Sequence, residues 1–232
     1  MNIRGIYKTT LIDYPGRIST AIFTGGCNLR CRYCHNPGLV LPSNENNSFT
    51  EDDIFELLKK RKHLIEGVTI SGGEPTLNRD LDEFIAKIKL LGFAVKLDTN
   101  GLKPEVIAHL ISGNLLDYVA VDVKTSPDKY RNLTGKDVNF STIVDTINIL
   151  RESGIKYEVR TTCVPDYVTI EDFHAIKESI GYVHRYQLQQ FVPDHNLIDN
   201  NLRSLQPYPV KVLFEFQKFV QTFSDNCEIR GI

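Results

Sequence analysis

Residues 18–37 read ISTAIFTGGCNLRCRYCHNP, and the fold follows from how this stretch divides. Its first six residues, 18–23, are the kind of β-branched and apolar run that suits a strand. Two glycines then release the chain into a loop holding Cys27, Cys31 and Cys34 in C-x3-C-x2-C spacing. The layout of a short strand running into a polar loop and then a helix recurs along the chain. Further strands are expected at 68–71, 94–98, 118–122, 157–161 and 185–189, with a short last one at 228–230.

Helical periodicity fills the intervals. Thr50 is placed to cap a stripe of Ile54, Leu57, Leu58, Leu64 and Ile65. Four more stripes each stop at a glycine, as helix ends commonly do. They are Leu81 to Leu91 before Gly92, Val106 to Ile111 before Gly113, Ile143 to Leu150 before Gly154, and Ile170 to Ile180 before Gly181. A last helix is expected over 210–223. Strands alternating with helices predict an α/β fold of parallel strands joined by crossover helices. Six such units suggest a partial (β/α)6 TIM-like barrel left open, in a single domain spanning 1–232. A polar loop is expected at 42–48. The longest stretch without a period is 192–209, the kind of segment that serves as a lid or a docking loop.

The composition narrows the function classes. The chain has 232 residues, with 27 Lys and Arg against 29 Asp and Glu, for a net charge of −2. That balance argues against nucleic acid or an anionic membrane as partner. The N-terminal residues lack the apolar core of a signal peptide, and no run approaches a membrane span. A cytoplasmic protein with reduced thiols is expected. Five cysteines, three of them within eight residues, suit a metal or catalysis better than a disulfide framework.

Three clustered thiolates can hold an iron–sulfur cluster, which normally takes four cysteines in its [4Fe–4S] form. With three, one iron is left for another ligand. The competing reading is a structural zinc site, which needs four closed ligands. His35 adjoins Cys34 and is poorly placed to turn onto the same ion, while Cys163 and Cys227 are distant in sequence.

Four other segments sit at expected strand ends: Ser71-Gly72-Gly73-Glu74-Pro75, Asp98-Thr99-Asn100-Gly101, Asp122-Val123-Lys124, and Arg160 with the residues after it. In a parallel βα array the C-terminal strand ends share one face, and that face carries the site. Each segment also has an ordinary explanation. Gly72-Gly73 can be a turn, Asn100-Gly101 is a common turn dipeptide, Asp98 and Asp122 can cap helices, and Lys124 can be a solvated charge. Gathered on one rim with the cysteine loop, they describe a polar small-molecule site.

These residues resemble a known family. The CxxxCxxC loop with an aromatic before the last cysteine, together with GGEP at 72–75, is the signature of radical S-adenosylmethionine (SAM) enzymes. The stretches TLIDYPG (10–16), FTGGCNLRCRYCHNP (23–37), ISGGEP (70–75), LDTNG (97–101), YVAVDVK (118–124) and QQF (189–191) resemble the anaerobic ribonucleoside-triphosphate reductase activating proteins. More broadly they resemble glycyl-radical-enzyme activases. The resemblance spans about residues 11–231. It implies a [4Fe–4S] cluster on Cys27, Cys31 and Cys34, with the amino and carboxylate groups of SAM on the fourth iron. It places Tyr33 and His35 near the adenine and Gly72, Gly73 and Glu74 at the methionyl amino group. Asp98, Thr99, Asp122 and Lys124 would line the ribose and carboxylate side, with Arg160 and Gln189 as further candidates.

The resemblance also implies a mechanism. A low-potential donor such as a flavodoxin reduces the cluster, SAM is cleaved, and the resulting 5′-deoxyadenosyl radical takes a hydrogen from a glycine of a large glycyl-radical enzyme. Two departures stand out. Arg32 occupies a position where relatives often have proline. Only 36 residues separate Cys34 from Ser71, too few for a ferredoxin-like insertion, so Cys163 and Cys227 read as buried small apolar side chains. Two other functions stay open at this point: a radical SAM enzyme acting directly on a small molecule, and a non-enzymatic zinc-binding interaction module.

Overall fold

The computed structural model describes residues 1–40, 49–193 and 196–232. The expected polar loop at 42–48, and Asp194 and His195 within the 192–209 stretch, lie outside the described residues. The chain begins with β1 (Ile3–Thr10) and β2 (Ser19–Thr24), followed by α1 (Pro37–Val40) and α2 (Glu51–Lys60). Strands and helices then alternate: β3 (Gly67–Gly72), α3 (Leu81–Leu90), β4 (Ala94–Thr99), α4 (Pro104–Ser112) and β5 (Tyr118–Asp122). Next come α5 (Pro127–Thr134), α6 (Phe140–Ser153), β6 (Lys156–Cys163), α7 (Ile170–Ile180), β7 (Val183–Gln190), α8 (Val210–Val220) and β8 (Ser224–Arg230).

All eight strands form one sheet in sequence order, β1 to β8. From β2 to β8 every pairing is parallel, and only β1 runs antiparallel, along β2. The two outer strands do not pair with each other, so the sheet remains an open, partial barrel as expected. The helices cover its convex face. Val95, Leu97, Val119, Val121, Val159 and Leu188 of the strands are fully buried there, against Phe84, Ile88, Ile107, Ile147, Phe173 and Leu213 of the helices. Cys163 and Cys227 belong to the same apolar core.

Local rules explain most element ends. Thr50 caps α2 in a reciprocal box: its Oγ1 accepts from the Asp53 amide at 3.1 Å, and the Asp53 carboxylate accepts from the Thr50 amide at 2.9 Å. Gly154 closes α6 in the left-handed conformation. Helix α4 ends at Gly113 as expected, and the left-handed residue follows it at Asn114. The α2 stripe stops at Lys60, short of Leu64 and Ile65, and Leu64 is exposed.

Two elements have weak sequence signals. The edge strand β1 (IRGIYKTT) is half polar and buries fully only its end residues Ile3 and Thr10, while Tyr7 stays exposed. Helix α5 (PDKYRNLT) is mostly polar and is anchored by buried Tyr130 and Leu133.

Candidate active site at the strand ends

The C-terminal strand ends enclose a cavity of about 330 Å³. Its wall contains Cys27, Cys31, Cys34, Tyr33 and His35 from the loop after β2, Gly72, Gly73 and Glu74 from the end of β3 and the turn after it, Asp98 and Thr99 from β4, Asp122 and Lys124 at the end of β5, and Arg160 from β6, all nominated from sequence. Gln189, the remaining candidate from sequence, joins them from β7. Leu29, Asn36, Ser71, Asn100 and Thr162 also face the cavity and were not singled out from sequence, although three of them adjoin residues that were.

Backbone contacts fix the cysteine loop on three sides. Gly73 donates its amide to the Thr24 carbonyl and Glu74 donates to the Gly26 carbonyl, both at 2.8 Å. A Cβ on Gly73 would sit 1.9 Å from the Gly26 oxygen, so only glycine allows β3 and the loop to meet this closely. Arg30 and Arg32 donate their amides to the Thr134 and Leu133 carbonyls at the end of α5, at 2.8 and 3.0 Å. A proline at position 32 could not make the second bond. The Arg32 guanidinium donates to the Tyr167 hydroxyl at 2.9 Å and lies 3.5 Å from Asp199.

The segment after β7 packs behind this loop. Phe191, Leu197 and Leu202 form a second apolar cluster with Leu29, Cys31, Tyr33, Leu133 and Val164. His35 Nε2 donates to the Val192 carbonyl at 2.8 Å, which fixes its tautomer, and the Asp199 amide donates to the Arg32 carbonyl at 2.9 Å. The described part of the 192–209 stretch is thus a strap holding the cysteine loop.

Glu74 is almost fully buried, and both oxygens of its carboxylate accept hydrogen bonds from neighbours. Oε1 accepts from the Thr76 hydroxyl at 2.6 Å and the Thr99 hydroxyl at 2.8 Å, and Oε2 accepts from the Asn100 amide at 2.8 Å. Desolvation still outweighs these bonds and raises its pKa. Asn100 Nδ2 donates in turn to Asn28 Oδ1 at 2.7 Å, so Glu74 ties the ends of β3 and β4 to the cysteine loop.

The opposite wall is charged. Arg160 lies between two carboxylates, with NH1 3.2 Å from Asp98 Oδ2 and Nε 2.8 Å from Asp122 Oδ1. Lys124 Nζ lies 3.0 Å from the other Asp122 oxygen. Burial alone would raise both aspartates, but the Arg160 charge, joined by Lys96 at Asp98 and by Lys124 at Asp122, outweighs it and holds both carboxyls below the usual range. Burial pushes the Cys31 thiol up to about 12 and also raises Cys27 and Cys34. Ligation would therefore displace protons from all three thiols.

The donor set suits an iron–sulfur cluster. Three thiols face the one cavity, and thiolates are the usual ligands of such clusters. The buried Tyr33 hydroxyl lies beside Thr162 in the cavity wall.

A cysteine loop at the mouth of a partial barrel, facing a charged wall at the strand ends, defines a class. The chain belongs to the radical SAM superfamily, whose sequence pattern matches residues 21–180. It is an enzyme of that superfamily, with a [4Fe–4S] cluster and SAM as its cofactors.

Particular relatives narrow the comparison. A Methanocaldococcus jannaschii protein that carries the provisional name glycyl-radical enzyme activating enzyme is 36% identical across 99% of this chain and 96% of its own. The pyruvate formate-lyase-activating enzyme of Clostridium pasteurianum is 28% identical across 88% of this chain and 86% of its own. Among solved structures, Streptococcus suis SuiB bound to SAM shares the fold with a TM-score of 0.69 at 17% identity, over 89% of this chain. This chain spans about half the length of SuiB. QueE from Escherichia coli superposes with a TM-score of 0.52 over 81% of this chain.

Proposed function

We propose that this chain is a glycyl-radical-enzyme activase whose partner is an anaerobic ribonucleoside-triphosphate reductase. The observation that carries the reading is the single cavity in which the cysteine loop confronts the Asp98–Arg160–Asp122–Lys124 wall. The 36% identity over nearly the whole chain with a protein provisionally named as a glycyl-radical enzyme activating enzyme supports the choice of partner class. Cys27, Cys31 and Cys34 would hold the cluster, with one iron open to SAM. Bound there, the cluster and SAM supply a one-electron cleavage of the sulfonium and a strong hydrogen-atom acceptor.

The chain's own residues bind and orient. Lys124 provides a point charge for the SAM carboxylate, and the backbone of Gly72 and Gly73 offers polar groups to the methionyl amine. Asp98 and Asp122 accept hydrogen bonds from ribose hydroxyls, and Tyr33 and His35 lie beside the adenine. Glu74 holds the loops through Thr76, Thr99 and Asn100, and its Oε2, which accepts from the Asn100 amide, keeps a lone pair for the methionyl amine. The strap and its apolar cluster exclude water behind the cysteines. A flavodoxin-like donor in the cytoplasm supplies the electron. Among the described residues no helix is long and apolar enough to cross a membrane.

The test mixes reduced, reconstituted protein with SAM and the candidate reductase, and follows electron paramagnetic resonance. A glycyl radical on the partner, with 5′-deoxyadenosine released, is the expected result. SAM cleavage with no radical on any partner would instead favour direct action on a small molecule.

A further inference from the structure

Lys96 is fully buried in the middle of β4 and does not line the cavity. A buried ammonium is costly unless paired, and Lys96 is paired twice. Its Nζ contacts Asp98 Oδ1 and lies 3.8 Å from Glu158 Oε1, with the Tyr118 ring centroid at 5.9 Å. These pairs join the cavity wall to charges beneath it. Glu228 meets Arg185 at 2.7 Å, and Arg185 meets Glu158 at 3.3 Å. Beyond Lys96 the series continues through Asp98, Arg160, Asp122 and Lys124. Eight charges of alternating sign thus run along one face of β4 to β8.

Asp98 is where the lower half of this series meets the cavity. One of its oxygens faces Lys96 and the other faces Arg160. Two cations on opposite oxygens fix the plane of the carboxylate. With Arg160 alone, the group could turn until both oxygens met the guanidinium, the bidentate geometry such pairs favour. We infer that Lys96 is a positioning residue for SAM, acting through Asp98 by holding that carboxylate in the orientation that receives the ligand. The inference rests on the reading that this cavity binds SAM.

A purely structural alternative is that Lys96 only balances the charge of Glu158. Glu158 also has Arg185 and the Tyr118 hydroxyl, the latter at 3.1 Å. Two variants separate the readings: Lys96→Met, and Lys96→Met combined with Glu158→Gln, which removes the charge left unbalanced. SAM affinity is measured by anaerobic calorimetry on the reconstituted holoprotein, alongside thermal melting. The single variant should weaken SAM about tenfold, the scale of one charge-assisted hydrogen bond. The double variant should recover the wild-type melting temperature but not the affinity. Wild-type affinity in the single variant, or recovery of both properties in the double variant, would overturn the role of Lys96 alone. If iron-loaded wild-type protein itself bound no SAM, the binding reading would fail, and this inference with it.

Discussion

The two faces of the sheet meet opposite fates, and a single strand displays both. In β4, Val95 and Leu97 point out into the helical layer, and Lys96 and Asp98 point in toward the lumen. The pattern repeats in β6, where Val159 is core and Glu158 and Arg160 are charged, and in β7, where Leu188 is core and Arg185 faces Glu158. Parallel sheets covered by helices on both faces read as nearly continuous apolar runs. Here one face packs against helices and the other surrounds a polar lumen, so the strands alternate. Folding free energy comes mainly from the convex face, and the proposed ligand recognition belongs to the concave one. Substitutions should therefore divide by face, with outward positions costing stability and inward positions costing binding.

The largest expected effect lies at the mouth of the lumen. Cys31→Ala should reduce SAM cleavage to background and lower the iron content after anaerobic reconstitution, both read on the same sample. Cleavage at the wild-type rate would remove the ligand assignment.

On the convex face, Leu150→Ala in α6 should cost about 2–5 kcal/mol of stability in denaturant titrations, the usual range for a buried leucine. Its SAM affinity should stay within about twofold of wild type, an approximate bound that follows from additivity of separate sites. A large affinity loss would show that the two faces are not independent.

On the concave face, Asp122→Asn should weaken SAM about tenfold, with a stability cost that depends on pH. The Asp122 carboxyl is held below its usual range, because Arg160 and Lys124 outweigh its burial. A depressed carboxyl stabilises the fold fully above its unfolded value, near about pH 4, and loses that contribution as pH falls through its folded value. The gap in melting temperature between wild type and variant should be steady from about pH 8 to about pH 5 and should narrow below about pH 4. A gap that widened in acid would contradict the assigned pairing.

The smallest effect tests a site remote from the lumen. Thr50→Ala removes one side of the α2 capping box and should cost about 1 kcal/mol, with no change in SAM affinity. The same denaturant and calorimetric measurements check both parts.

Much of this was legible because it is local. The parallel strands, most helix ends, the Thr50 cap and the cysteine spacing depend on residues within a few positions of one another. The gathering of cysteines, glycines and acids on one rim was also readable, since a βα repeat places every strand's C-terminal end on the same side. Strand β1 escaped notice because an edge strand needs only partial burial, and α5 because its helix is held by Tyr130, Leu133 and Thr134 at its C-terminal end rather than by an apolar stripe. The glycine pair at 72–73 read as an approach for a ligand, and the structure adds a closer neighbour, the carbonyl of Gly26.

By itself, then, the sequence determined the order of strands and helices, the cysteine loop and the membership of the rim, all set by short-range periodicity and by the handed repetition of one unit. The tertiary structure decided which charge meets which. Arg160 reaches Asp122 across 38 positions and Lys96 reaches Glu158 across 62, through the register of neighbouring or once-removed strands. Register fixes ion pairing to within a few ångströms, and it is settled only when the convex side chains pack against the helices, so no local stretch of the chain encodes it.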